Sequence, residues 1–307
     1  MKQSSDTGTS SKTSCARGIS MVLVTTTLWG VLPIFQKIAL NTFSPGSIAW
    51  FRFSFAFLVL FVLLSLKGSR PASIIRQPPW LGILAGVSLS ANYLGVTEAI
   101  RLSSPSNVAI LIQIAPVILV VVGLVFFQER LTQLQFVGFA VAGLGLVLFF
   151  LDQRHHVKDM ELYSEATIQI FFAAVVWVVY ISCQKILSRS FGAQSLNLLV
   201  YGVASVALIA QVTWAEFSGV GVGDWLLLLF LGLNTLLAYG ALAEAVKHIP
   251  LTLISPLITL NPLITMAGMI VFPQIVSSSL PPEPIGLVGY LGAVTAVAGV
   301  VIVVARK

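Results

Sequence analysis

The feature that most limits how this chain can fold is a series of about ten apolar segments, each close to 20 residues long. A segment of this length crosses a hydrocarbon core roughly 30 Å thick, whereas helices in soluble cores are seldom so long. Only 9% of the residues are charged and 57% are hydrophobic, so the chain cannot cover itself with water-facing side chains. Because backbone polar groups in lipid must be satisfied within the segment, these segments are predicted to be membrane-spanning helices.

Ten spans are predicted, which places both termini on the same side of the membrane. Their ranges are 18–38, 46–66, 80–100, 104–127, 132–151, 166–187, 195–216, 224–246, 251–273 and 284–304. Twelve Lys and Arg residues flank the ends on the side of the termini, and four flank the opposite ends. By the positive-inside rule, both termini are predicted to be cytoplasmic. The net charge of +6 is thus explained by topology and by an anionic inner leaflet, and it suggests no nucleic-acid partner.

Polar segments divide the chain. Residues 1–17 are rich in Ser, Thr and Lys and precede the first apolar run, so they are predicted to be a disordered cytoplasmic tail. Residues 152–165 form the longest polar stretch and are predicted to be an external linker. They separate a first half at 18–151 from a second half at 166–305. The Pro-rich connection 274–283 is predicted to be an outer loop.

The two halves resemble each other in sequence. The matches include Trp29 with Trp177 at a spacing of 148, Tyr93 with Tyr239 and Glu98 with Glu244 at 146, and Gly138 with Gly292 at 154. Spacing changes fall between helices, where insertions are tolerated. Because each half has five helices, an odd number, the second half enters from the opposite side, and the pattern predicts a 5+5 inverted-topology repeat. Two such halves can exchange conformations, so alternating access to a site near the midplane is predicted.

Several motifs carry a resemblance to a known family. They are Glu98-Ala99 through Pro116-Val117, Gln128-Glu129-Arg130-Leu131-Thr132, the glycines at 138, 143 and 145, and, in the second half, Glu244-Ala245 and Pro262-Leu263. These motifs resemble the ten-helix EamA-type carriers of the drug/metabolite transporter superfamily over roughly residues 18–305. The family often has an acidic residue after helix nine, where this chain has Gln274-Ile275. The resemblance implies a bacterial plasma-membrane carrier, often an exporter of amino acids or related metabolites, with a central cavity facing both repeats.

Charged residues inside or beside the spans are candidates for function. Arg52 lies within the second span, where a charge in hydrocarbon costs at least about 2.5 kcal/mol. It is interpreted either as a clamp for a substrate carboxylate or phosphate, or as a packing residue that reaches the outer interface. Glu98 with Arg101, and Glu244 with Lys247, are opposite charges three residues apart on a helix. They are interpreted either as structural ion pairs or as groups that gate transport or couple it to protons.

Uncharged polar and aromatic residues also lie within the spans. The polar residues need hydrogen-bond partners in lipid and are predicted to line a shared substrate cavity: Asn92, Tyr93, Gln113, Asn234, Tyr239, Thr259 and Asn261. Prolines 116 and 262 either expose a backbone carbonyl to substrate or only kink the helix. The aromatic residues Trp29, Trp177, Tyr180 and Tyr201 are interpreted as cavity walls or as interfacial anchors.

Signatures of enzymes are missing from the sequence: it has no P-loop, no His-Glu-x-x-His and no Gly-x-Ser-x-Gly motif. Accordingly no enzymatic activity, cofactor or metal is predicted. The sequence predicts an all-α secondary transporter of the bacterial inner membrane that exports amino acids or related amphipathic metabolites. A membrane-embedded enzyme and a channel or sensor are the alternatives. The expected partners are a small-molecule substrate, the lipid bilayer and a coupling proton, and small residues in the fifth and tenth spans fit a monomer or a homodimer.

Overall fold

The computed structural model describes residues 6–68, 72–115, 117–118, 122, 132–156, 159–249, 254, 257–275 and 280–304. These residues form helices and loops, without any β-strand among them. The α-helices are α1 (Asp6–Ala39), α2 (Pro45–Leu66), α3 (Ala72–Arg76), α4 (Trp80–Leu102), α5 (Pro105–Leu111), α6 (Gln133–His156), α7 (Met160–Leu187), α8 (Ala193–Leu208), α9 (Val222–His248), α10 (Asn261–Ile275) and α11 (Leu287–Val304). Two short 3-10 helices, Ile209–Gln211 and Trp214–Phe217, follow α8.

Within the described residues, seven helices are long and apolar enough to cross a membrane. They are α1, α2, α4, α6, α7, α8 with its 3-10 extension, and α9. Helices α10 and α11 are apolar but shorter. The all-helical, membrane-spanning character predicted from the sequence is therefore confirmed. Most of the second half of the predicted fourth span, 116–127, lies outside the described residues, which include its first half, 104–115, with α5.

Local sequence determines where several helices begin. Ser44 and Ser104 precede α2 and α5, and each side chain accepts a hydrogen bond from a backbone N–H in the first turn. Pro45 and Pro105 follow at the first helical position, where the missing N–H has no consequence. Asp159 caps α7 in the same way. These caps determine the residue at which each helix starts.

Two predicted boundaries differ from the structure. Helix α1 begins at Asp6, inside the segment 1–17 that is predicted to be disordered, because a helix nucleated by an apolar span propagates at low cost through residues that include no proline. The predicted linker 152–165 is mostly helical, since α6 continues to His156 and α7 begins at Met160. The connection between the halves is therefore shorter than the polar stretch, because both helices extend beyond the apolar part of their sequence.

The most extensive helix contacts join the first half of the chain to the second. Helix α1 packs against α9, α4 against α7 and α8, α2 against α8 and α9, and α6 against α11. Helix α10 in turn packs against α1 and α5. The two halves consequently form one interlocked bundle, and side chains from both meet in its interior.

Helices α6 and α11 approach closely at small residues. A Cβ added to Gly145 would lie 2.1 Å from the backbone nitrogen of Ala296, and one added to Gly299 would lie 2.2 Å from that of Ala142. A larger side chain at either position would push the helices apart. A Cβ at Gly143, on the same helix as Gly145, would meet nothing within 4 Å. The small residues predicted to allow close approach therefore pack within one chain.

Candidate functional site

The interior of the bundle contains a buried arginine. Arg52 on α2 has only 1% of its surface exposed. Its Nε donates a hydrogen bond to Oγ1 of Thr235 on α9, 3.1 Å away, and its guanidinium carbon lies 4.6 Å from the ring centre of Tyr93 on α4. This second contact is a cation–π interaction. Among the described residues no carboxylate forms an ion pair with Arg52, and its Nη2 has no hydrogen-bond partner. Within the described part of the chain, this positive charge is thus enclosed without an anionic partner.

Four tyrosines pack together near this arginine and are here called the tyrosine cluster: Tyr93, Tyr180, Tyr201 and Tyr239. Three of them, Tyr93, Tyr201 and Tyr239, lie beside Arg52. The hydroxyl of Tyr93 donates to that of Tyr239 over 3.4 Å, and the rings of Tyr201 and Tyr239 lie 6.3 Å apart. Tyr180 and Tyr201 are buried in the same apolar core, and the Tyr180 hydroxyl accepts a hydrogen bond from Gln184. The tyrosines belong to α4, α7, α8 and α9. Four helices therefore contribute aromatic faces and hydroxyl groups to one place.

The two tryptophans that the repeat pairs lie at the edge of the tyrosine cluster. The ring of Trp29 on α1 meets that of Tyr239 edge to face, with centroids 5.3 Å apart. Trp177 on α7 packs against the core that contains Tyr180 and Tyr201. Both tryptophans are half-buried, and they extend the aromatic wall beyond the tyrosines.

Asn92 and Asn234 hold helices together. Nδ2 of Asn92 donates to the carbonyl of Ala173 over 2.8 Å and joins α4 to α7. Nδ2 of Asn234 donates to the carbonyl of Leu28 over 2.7 Å and joins α9 to α1. Both NH₂ groups thus bond to the backbone of a neighbouring helix, which favours a role in helix packing. Oδ1 of Asn234 has no partner among the described residues.

The remaining predicted polar residues lie where α5 ends and α10 begins. Nε2 of Gln113 donates to the carbonyl of Thr259 over 3.3 Å. The carbonyl of Asn261 accepts a hydrogen bond from Thr265, whose hydroxyl also donates to the carbonyl of Gly30 over 2.6 Å. Two members of the predicted polar set belong to the arginine site: Tyr93 contacts Arg52 directly, and Tyr239 contacts Tyr93.

Thr235 is a site residue that the sequence analysis missed. It lies one helical turn before Tyr239 on α9, and residues four apart share a face of a helix. That spacing could have identified Thr235 from the sequence, because Tyr239 is itself a predicted site residue. Thr235 is completely buried, and its hydroxyl accepts from Arg52 while donating to the carbonyl of Leu231.

The charged residues at the helix ends form ion pairs. Arg101 Nε donates to a Glu98 carboxylate oxygen over 2.9 Å at the end of α4. Glu244 on α9 lies 3.1 Å from Arg17 of α1 and 3.1 Å from His248. The side chain of Lys247 lies outside the described part of the structure. All of these groups are partly exposed, which is typical of modest, solvent-screened interactions.

A second carboxylate, Glu283, lies in the loop before α11. Its Oε1 accepts a hydrogen bond from the backbone N–H of Ser106 over 3.0 Å, while its Oε2 is buried with no partner among the described residues. Burial raises the pKa of the Glu283 carboxyl above its usual range, although the Ser106 N–H, the hydroxyls of Ser106 and Ser104 and the charge of Lys37 act in the opposite direction. The group thus combines enclosure with an unsatisfied oxygen.

The internal repeat contained the signal for Glu283. The spacing of 154 that relates Gly138 to Gly292 also relates Glu129 to Glu283. Gln274, the position compared above with the family's acidic residue after helix nine, lies nine residues before Glu283. Glu129 itself lies outside the described residues.

Apolar helices of membrane-spanning length that enclose a charged interior site define a polytopic helical membrane protein. The EamA-like transporter family matches this chain twice, at residues 16–151 and at 165–305. The chain therefore belongs to the EamA-like transporter family and is a transporter, as its motifs predict.

Similar proteins agree with this assignment. The chain is 31% identical over 292 residues to YhbE of Escherichia coli K12, described as an uncharacterized inner membrane transporter, with 92% of this chain and 89% of that protein covered. It is 27% identical over 286 residues to an uncharacterized transporter of Haemophilus influenzae, covering 93% and 94% of the two chains. A solved crystal structure with 17% identity shares the fold, with a TM-score of 0.64 over 95% of this chain and 97% of that chain.

Proposed function

We propose that this protein is a secondary transporter that exports an amino acid or a similar small amphipathic carboxylate across the bacterial inner membrane. The observation that carries the substrate class is the buried guanidinium of Arg52, which has no ion-pair partner among the described residues. A charge at this depth costs about 2.5–3.5 kcal/mol unless a partner or a cavity compensates it. A substrate carboxylate would supply that partner, because a guanidinium binds a carboxylate through two parallel hydrogen bonds.

The surroundings of Arg52 favour an amphipathic ligand over a simple anion. The faces of the tyrosine cluster can bind an ammonium group through cation–π contacts, and its hydroxyls can accept hydrogen bonds from it. Trp29 and Trp177 would contact the apolar part of the molecule. A carboxylate, an ammonium group and an apolar side chain together describe an amino acid. Asn92, Gln113, Asn234, Thr259 and Asn261 would then support the site through the helices that they connect.

Alternating access is the transport mechanism that we propose, with ten helices arranged as a 5+5 inverted repeat and cytoplasmic termini. Two separate family matches along the chain support a repeat. The contacts between α1 and α9 and between α4 and α7 support it as well, because the repeat relates one pair to the other. Arg52 and the tyrosine cluster come from both halves, so a rocking motion of one half against the other would change access to them.

Proton coupling through Glu98 or Glu244 remains part of the proposal. Their ion pairs with Arg101 and with Arg17 and His248 favour a structural role. Glu98→Gln and Glu244→Gln would separate the two interpretations when proton flux is measured in proteoliposomes. Unchanged coupling in both variants would exclude a role for these carboxylates.

The substrate proposal is tested by counterflow of labelled amino acids in proteoliposomes. We expect saturable uptake for at least one amino acid, loss of that uptake in Arg52→Gln, and retention in Arg189→Gln, which removes an exposed arginine. Absence of saturable flux for every amino acid would overturn the proposed substrate class. Single-channel currents would indicate a channel instead of a carrier.

A further inference from the structure

A cavity of about 180 Å³ lies at the end of the bundle where α1 and α4 end and α5 begins. Lys37 of α1, Ser104, Met269 of α10 and Glu283 are among the residues that line it. In the proposed topology this end faces the outside of the cell. Residues 280–284 line one side of the cavity. They belong to the segment 280–286, here called the closing loop, which leads into α11.

The closing loop is attached to the bundle on two sides. On one side Glu283 accepts the hydrogen bond from the Ser106 N–H, which connects the loop to α5. On the other side the N–H of Gly286 donates to Oδ2 of Asp152 over 3.0 Å, which connects it to α6. Movement of the loop away from the bundle would break both connections and expose Glu283 to solvent.

Lys37 is close to Glu283 but does not neutralise it by direct contact. Its Nζ donates to the carbonyls of Ile100, Arg101 and Ser103 at 2.7, 3.2 and 2.8 Å, which uses all three of its protons. Within the described residues no ion pair joins Lys37 to Glu283. Among the described residues, the ionised carboxylate is therefore stabilised only by the Ser106 N–H, the nearby hydroxyls of Ser104 and Ser106 and the charge of Lys37, and its Oε2 stays buried. A proton on this oxygen removes the charge that burial disfavours.

Other charged groups face the closing loop from the helices packed against it. Arg101, which pairs with Glu98, lies at the end of α4 beside Lys37. Asp152 of α6 lies 3.5 Å from Nδ1 of His156 and bonds the loop backbone. A test of Glu283 needs His156 as a separate variant, because its ring lies beside the Asp152 carboxylate that holds the closing loop.

We propose that Glu283 is a proton-binding site that controls closure of the outer end of the carrier: the closing loop packs down when Glu283 is protonated and opens when it is ionised. The proposal rests on the proposed alternating access and adds to it a group that responds to external pH. Packing the loop transfers the carboxyl from water to an enclosed site, which disfavours its charged form. The packed state thus binds the proton more tightly than the open state, and by linkage low external pH favours closure while high pH favours opening.

The test measures access to the outer cavity directly and needs no knowledge of the substrate. Met269 lines the cavity and is 5% exposed, so Met269→Cys, with Cys15 and Cys183 replaced by Ser, reports opening of the closing loop. Cells are treated with a membrane-impermeant thiol reagent at several pH values from about 5 to about 8, a range that lies above the usual pKa of a glutamate carboxyl. Rates are divided by those of Ser218→Cys, an exposed position, to remove the pH dependence of the thiol itself.

We expect the normalised rate to rise with pH, by up to about tenfold per pH unit if one proton is released. In Glu283→Gln, which is always neutral, the rate should stay low at every pH. Glu283→Asp keeps a carboxylate and should retain a pH response. That result would show that the position tolerates substitution. Glu161→Gln, which removes an exposed carboxylate of α7, and His156→Gln should behave like the parent.

Three results would overturn the proposal. The first is a parental pH response in Glu283→Gln. The second is loss of the pH response in His156→Gln alone. The third is a normalised rate that does not rise with pH in the parent. None of these results depends on amino-acid counterflow, so failure of this inference and failure of the proposed function are distinguishable.

Discussion

Replacing Thr235 by valine is expected to destabilise the protein through its effect on Arg52. Valine has nearly the shape of threonine but lacks the hydroxyl, so the substitution removes the acceptor that lies 3.1 Å from Arg52 Nε. A hydrogen bond to a charged group contributes about 1.5–3 kcal/mol, and the orphaned donor stays buried. The carbonyl of Leu231 also loses the Thr235 hydroxyl, but a second bond to a helical carbonyl is worth less. We therefore expect a loss of about 1.5–3 kcal/mol in the free energy of unfolding.

A double-mutant cycle shows whether this loss passes through Arg52. Reversible unfolding in mixed micelles of a mild detergent and dodecyl sulfate gives the free energy of Thr235→Val in the parent and in an Arg52→Met background. In the Met background the substitution should cost less than about 0.5 kcal/mol, because no charged donor remains to be satisfied. Thr235→Ser keeps the hydroxyl and serves as the control. Equal costs of Thr235→Val in both backgrounds would refute the assigned hydrogen bond.

Three further predictions concern packing, ion pairs and substrate. Gly145→Leu should destabilise the protein by about 1–3 kcal/mol or more, because its side chain would push α6 away from α11. The control Gly143→Leu should cost little, and equal unfolding midpoints for the two variants in the same micelles would contradict the packing. Glu98→Gln and Glu244→Gln should each change the free energy of unfolding by less than about 1 kcal/mol, because their pairs are partly exposed, and a larger loss would indicate buried pairs. Arg52→Lys should weaken amino-acid binding in thermal-shift titrations by at least about tenfold, because lysine cannot form the bidentate fork, and unchanged affinity would remove Arg52 from the site.

The caps and spans were readable from the sequence because they are local. Ser44-Pro45 marks the start of α2, and the apolar lengths indicate which segments cross the membrane. The sequence did not indicate which face of each helix packs against other helices. Leu228 is fully buried and Leu226 is 61% exposed on the same helix, yet both are leucine. Lipid and protein interior are equally apolar, so the residue type does not tell which side of a helix meets a neighbour.

The sequence alone established the all-helical membrane class and the family, because hydrophobic length and fixed motif spacings are properties of the chain itself. It also singled out Arg52, since a charge within an apolar segment is conspicuous in any conformation. Only the tertiary structure decided that Arg52 meets Thr235 and Tyr93 with no ion-paired carboxylate among the described residues, and that Glu283 accepts a hydrogen bond from Ser106. These contacts join residues more than 40 positions apart. They depend on which helix faces pack together, and the packing of all the helices determines those faces.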